Sequence, residues 1–170
     1  MSPSTTQPAK TAKHSGQILA IDYGRVRIGL AIADAQQGLA QPLATLERIN
    51  RNEDMRRLRE LARDYSVKLV VVGLPLRLDG TRGEMAEEAE RFAKRVRKQI
   101  GIPVEMADER LTSWEAERQL EEQFGRKSKL SDSASKKKPV EKFSADSMAA
   151  AIILRDYLQH RTATSEGAAE

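Results

Sequence analysis

Cysteine is absent from the 170 residues, and histidine occurs only as His14 and His160. Disulfide frameworks, thiolate zinc sites and cysteine nucleophiles are therefore excluded, and a metal cluster or catalytic triad built on imidazole has too few parts. A thiol-free chain points to the reducing cytoplasm as its compartment. Aromatic residues make up only 4%, which argues against a base-stacking platform. No apolar run approaches the roughly 20 residues of a membrane span, so no membrane partner is expected. What is present is a soluble globular composition, 39% hydrophobic and 32% charged, at a length that suits one domain.

The net charge is +4, and its distribution matters more than its size. Residues 126–142 (RKSKLSDSASKKKPVEK) hold seven Lys or Arg, including Lys136, Lys137 and Lys138, against Asp132 and Glu141. This local surplus exceeds that of the whole chain, so the body is mildly acidic with a basic strip attached. Such a strip suits a polyanion, because clustered cations gain from counterion release along phosphates. A solvated loop with no partner explains the charge equally well.

Residues 1–16 are rich in Ser, Thr, Pro and Lys without periodicity, and read as a disordered leader; residues 161–170 read as a frayed tail. The leader has no apolar stretch of the secretory kind and no Arg of the transit-peptide kind. Between the two, residues 17–160 form one domain with a basic loop at 126–142. Residues 18–22 and 27–33 read as two strands, joined tightly through Gly24 and necessarily antiparallel. A third strand around residues 39–46 contains Pro42, which suits an edge. Met55, Leu58, Leu61, Ala62 and Tyr65 then fall at helical spacing, followed by the buried strand VKLVVVG. A helix on Met85, Ala89, Phe92, Ala93 and Val96 leads to the strand VEMAD. Thr112 and Glu115 make a capping box for the next helix, and Ser144 caps a last one over residues 146–159. Strands alternating with helices in the second half predict an α/β domain with parallel pairing there.

Three acidic positions fall at element ends. Asp22 closes the first strand, Asp108 and Glu109 close VEMAD, and Asp146 lies in the first turn of the last helix. Asp146 also shares that helix's apolar stripe with Ala149, Ala150 and Ile153. A carboxylate finishing a buried strand must be paired, hydrated or bound to a cation. In an α/β sheet the carboxyl ends of parallel strands bring such groups to one rim. Several carboxylates without His or Cys match a hard cation, Mg²⁺ or Mn²⁺, and paired ions of this kind cleave phosphodiesters. Each acid also has a plainer account. Asp22 starts an Asx-type turn, Asp146 favours the positive end of a helix, or the middle acids pair with Arg110.

The motifs "ILAIDYGRVRIGLAIAD", "VVGLPLRLDGT", "ADERLTSWEAE" and "DSMAAAIIL", in this order, resemble the YqgF family, also called RuvX, of pre-ribosomal-RNA nucleases and Holliday junction resolvases. The resemblance spans about residues 17–160. It implies an RNase H-like fold: a mixed five-stranded sheet, antiparallel in its first half and parallel in its later strands, with helices on both faces. It also implies a nuclease site holding two Mg²⁺ or Mn²⁺ ions, with Asp22, Asp108 or Glu109, and Asp146 as the catalytic acids. Glu109 is the favoured middle ligand, because the related RuvC resolvases place a glutamate there. Those resolvases commonly carry a further acid three residues after the helix aspartate, where this chain has Ala149.

Around these acids, Arg25, Arg27 and Arg110 suit contact with a phosphate, as do Lys136, Lys137 and Lys138; for Arg25 and Arg27 neutralising Asp22 is an equal alternative. The expected partner is nucleic acid, either precursor ribosomal RNA or branched DNA, bound by a monomer or a homodimer. Two other functions fit parts of the sequence. A protein of the same fold without activity would use only the basic strip. A phosphotransferase of the actin and sugar-kinase type shares an apolar strand ending in DYG, but needs a second such half in a much longer chain.

Overall fold

The computed structural model describes residues 16–109, 118, 122–123 and 143–166. Five strands, β1 (Gln17–Tyr23), β2 (Arg27–Asp34), β3 (Gln41–Glu47), β4 (Val67–Leu74) and β5 (Val104–Asp108), form one sheet in the order β3-β2-β1-β4-β5. The first three pair antiparallel, and β1–β4 and β4–β5 pair parallel. The mixed sheet expected from the sequence is the one observed. Pro42 lies on the β3 edge, opposite Ala31, where the register shifts, because proline has no N–H for a regular ladder.

Helices α1 (Arg51–Asp64) and α2 (Glu84–Ile100) cover one face, and α3 (Ala145–Glu166) covers the other. The faces differ in side-chain size. Leu19, Ile21, Ile28, Leu30, Val70 and Val72 point toward α1 and α2, where they pack around Met55, Leu58 and Phe92. Ala20, Ala31 and Ala33 point toward α3, which answers with Ala150 and Ala151. Small residues on both sides let α3 lie close to the sheet. Gly29 takes this furthest: a Cβ there would stand 1.9 Å from the backbone oxygen of Asp146, so only glycine admits the first turn of α3.

The local signals explain where the elements start. Asn50 caps α1, its side chain accepting from Glu53 N at 2.9 Å, and Ser144 caps α3, accepting from Ser147 N at 3.2 Å. At Gly24 a Cβ would meet the Arg27 carbonyl oxygen at 2.4 Å, which is what the tight β1–β2 connection requires. The last helix departs from expectation. It runs to Glu166 rather than stopping at Gln159, so residues 161–166 are helical rather than frayed. No proline or glycine occurs between His160 and Glu166 to stop it. Of the helix expected from Thr112 only residues 118 and 122–123, which are helical, are described, and the loop at 126–142 lies outside the described residues. Among those described, no helix is long and apolar enough to cross a membrane.

Candidate active site

Along β1 alternate residues face opposite sides, so Ile18 and Ala20 pack under α3 while Leu19 and Ile21 pack under α1 and α2. Asp22 continues the first set and Tyr23 the second. The carboxylate of Asp22 therefore emerges at the end of β1 on the α3 side. It lies opposite Gly29 in the β1–β2 register, and Gly29 is the residue that receives the Asp146 backbone. Glu109 follows β5 directly. Its Oε1 lies over Gly73 of β4, where a Cβ would stand 2.3 Å away, with Ile153 of α3 beside it. Two glycines thus make room for two of the acids.

Electrostatics join the three. Burial raises the Asp22 carboxyl from 3.8 to about 6, with the negative charge of Asp146 adding to the effect. Burial likewise raises Glu109 from 4.5 to about 7, followed by repulsion from Asp22 and then from Asp108. Asp22 is the common member, feeling Asp146 on one side and acting on Glu109 on the other. Of the middle pair, Glu109 feels the charge of Asp22, and Asp108 lies across from Leu74 at the end of the β4–β5 ladder.

The arginines do not neutralise Asp22. Arg27 Nε donates to Asp146 Oδ2 at 2.9 Å. Arg25 reaches the opposite face, where its guanidinium pairs with Glu88 at 2.7 Å and with Glu84 at 3.3 Å. Both long-range partners were beyond sequence reasoning, since nothing local ties the β1–β2 turn to α2. Also missed was Arg48, which is anchored by Asp54 at 3.1 Å and donates to Tyr23 Oη at 3.0 Å and to the Gly24 carbonyl at 3.3 Å. The loop after β4 keeps its Asp79-Gly80 turn, with Asp79 accepting from Thr81 N at 2.9 Å and Gly80 at φ 85°. Arg110, Lys136, Lys137 and Lys138 lie outside the described residues.

No three acidic or histidine side chains among the described residues are already drawn into a metal-holding cluster. The donor set nevertheless fits a hard cation. Asp22 and Glu109 are partly buried carboxylates whose charges oppose each other, all their donor atoms are oxygen, and a cation is what relieves both burial and repulsion.

A sheet of this order, with one helix held close against it, is an RNase H-like fold, shared with the RuvC resolvases. Thermus thermophilus RuvC in complex with a Holliday junction substrate superposes with a TM-score of 0.55 at 14% identity, covering 88% of this chain and 97% of that one. The Fowlpox virus resolvase, in its junction complex, gives 0.50 at 16% identity over 85% and 98%. The chain itself belongs to the RuvX family, described as Holliday junction resolvase, whose model matches residues 16–160. Among its relatives, a protein of Anaeromyxobacter sp. (strain K) named "Putative pre-16S rRNA nuclease" is 43% identical over 143 residues, covering 84% of this chain and 96% of its own length. A Nitrosospira multiformis protein of the same name is 38% identical over 152 residues, covering 89% and 93%.

Proposed function

We propose that the chain is a divalent-cation-dependent nuclease that hydrolyses phosphodiester bonds in structured nucleic acid, with precursor 16S ribosomal RNA as its substrate. The observation that carries this reading is the coupling of Asp22 to both Asp146 and Glu109, three acids from three elements at one rim. The names of the relatives favour RNA. Resolution of branched DNA is the second reading, favoured by the fold likeness to a RuvC that covers 88% of this chain.

Asp22, Glu109 and Asp146 would hold the cation or cation pair. When bound, such ions activate a water and stabilise the leaving oxygen. The protein supplies the rest. Gly29 and Gly73 fix the spacing of the acids by letting backbone and carboxylate approach the sheet. Arg27 orients Asp146 through its Nε and leaves the remaining guanidinium donors at the rim for a phosphate oxygen. Because the rim must be deprotonated to take a cation, carboxyls raised to about 6 and about 7 set the pH dependence. The rate of cleavage should climb between about pH 6 and pH 8 and fall on the acid side. A rate profile flat across that interval contradicts the assignment.

The direct test compares labelled precursor rRNA and a four-way DNA junction with Mn²⁺, using the parent protein and Asp146→Asn. We expect the parent to cut the RNA, and the variant to be slower by about 10³ while melting cooperatively. Preferential cutting of the junction would move the substrate to branched DNA. Cleavage of neither, or equal cleavage by both proteins, would overturn the proposal.

A further inference from the structure

On the face opposite the acids, Arg25, Arg48, Arg51, Arg91 and Arg95 line a single groove of about 370 Å³. They come from four places: the β1–β2 turn, the link before α1, the first turn of α1, and the middle of α2. The floor is aromatic, with Tyr23 packed on Phe92 at 4.9 Å between ring centres and the Arg48 guanidinium 5.1 Å above the Tyr23 ring. Glu88 is the one acidic residue in the lining, and it is taken up by Arg25 and by Tyr23 Oη at 3.3 Å.

Several of these arginines sit where local physics disfavours them. Arg51 opens α1, at the positive end of the helix dipole, where acidic residues are preferred. Arg91 and Arg95 are one helical turn apart on α2, a like-charge pairing that weakens a helix. Arg91 pairs with Glu87 only at 4.0 Å, and its charge also acts on Glu88. Neither Arg51 nor Arg95 has a hydrogen-bond or ion-pair partner among the described residues. Asp54, Glu84 and Glu87, the other acids paired with the lining, are spent on Arg48, Arg25 and Arg91. Three arginines placed against local preference beside two that are already paired are explained by an anion that repays the placement, and guanidinium forks match phosphate oxygens in pairs. The volume exceeds several times the roughly 30 Å³ of a water molecule, enough for a sugar-phosphate unit.

We propose that this arginine groove is a second backbone-binding site, which holds phosphates of the same nucleic-acid strand after it crosses the Gly24–Val26 turn from the acidic rim. Asp22 and Tyr23 are consecutive residues, so the two sites meet at one strand end, on opposite faces. A strand laid over the turn contacts both, and the groove fixes which bond reaches the acids. The inference rests on the nucleic-acid reading above, but not on catalysis.

The test is binding of a fluorescent RNA stem with a single-stranded tail, measured by anisotropy in chelator across a range of salt. Arg51→Gln/Arg95→Gln should weaken binding about tenfold and make the slope of log K against log salt shallower by about 1.5, corresponding to two lost phosphate contacts. Arg51→Lys/Arg95→Lys should recover most of that slope, because the charge is kept. Should the double variant melt early, Arg91→Gln alone is expected to remove about half as much slope. Repeating the measurements in an Asp22→Asn background separates this proposal from the nuclease assignment, since binding there needs no cleavage. Unchanged affinity and slope in the variants overturn the groove as a backbone site. So does displacement of the RNA by millimolar pyrophosphate, beyond the effect of matched chloride, with no dependence on tail length: that result identifies a pocket for a small phosphate instead.

Discussion

Asp22→Asn is expected to slow cleavage by about 10³ or more and, at pH 8 without divalent ions, to make the protein more stable than its parent. The two effects have one cause. The Asp22 carboxyl is raised from 3.8 to about 6 by burial and by Asp146, so ionising it costs more inside the fold than in the unfolded chain. At 1.36 kcal/mol per pH unit, and with part of the effect shared with Glu109, removing the charge should return about 2 kcal/mol. The sign follows from proton counting. Between pH 4 and 6 the folded state holds the proton that the unfolded state has lost, so the parent loses stability as pH rises through this interval. The advantage of the variant is therefore complete above about pH 7 and absent below about pH 4. Thermal melts at pH 4 and pH 8 measure it. Adding Mn²⁺ should then reverse the order at pH 8, because a ligand of the folded state stabilises the parent more. A variant less stable than the parent at pH 8 would mean that Asp22 serves the fold rather than the site.

Gly29→Ala should be the most damaging added methyl group among the described glycines. The new Cβ would lie 1.9 Å from the Asp146 carbonyl oxygen and 2.3 Å from its carbonyl carbon. Both are backbone atoms, so no rotamer change relieves the clash. Either β2 bends or the first turn of α3 lifts, at about 3 kcal/mol, the upper range for an overpacked core. Urea unfolding measures the loss as a lower midpoint. Lifting the turn also carries Asp146 away from Asp22, so cleavage per folded molecule should fall together with stability. An unchanged midpoint and rate would show that α3 does not depend on this contact.

How far these features could be read in advance varied with their range. An apolar strand that ends in a carboxylate is a local contradiction, and Asp22 was legible for that reason. Asp146 was legible because it shares a stripe with Ala150 and Ile153, residues of α3 that are buried against the sheet. The antiparallel start and parallel finish of the sheet followed from short and long connections. The partners of Arg25 and Arg27 were not legible. Glu88 is 63 residues from Arg25 and Asp146 is 119 residues from Arg27, and periodicity carries no information over such intervals. The same holds for the groove: Arg48 looks like an ordinary loop charge, and Arg51, Arg91 and Arg95 like ordinary charges on amphipathic helices, until folding brings them together. Gly73 was read as the end of the buried strand VKLVVVG, whereas in the fold it leaves space for the Glu109 carboxylate.

Asp22 and Tyr23 occupy successive positions of β1, one turned to the acids and the other to the arginines. A slip of this strand by one residue would exchange them, presenting a phenol to the proposed cation site and a carboxylate to the groove. It would also exchange Ile18 and Ala20 with Leu19 and Ile21, setting a larger side chain where Ala20 now lets α3 lie close. The packing that holds α3 close therefore acts as a proofreader of the pairing between β1 and its neighbours. A misaligned sheet cannot seat its last helix, and without that helix Asp146 never joins the rim, so a misfolded molecule would lack the proposed site altogether.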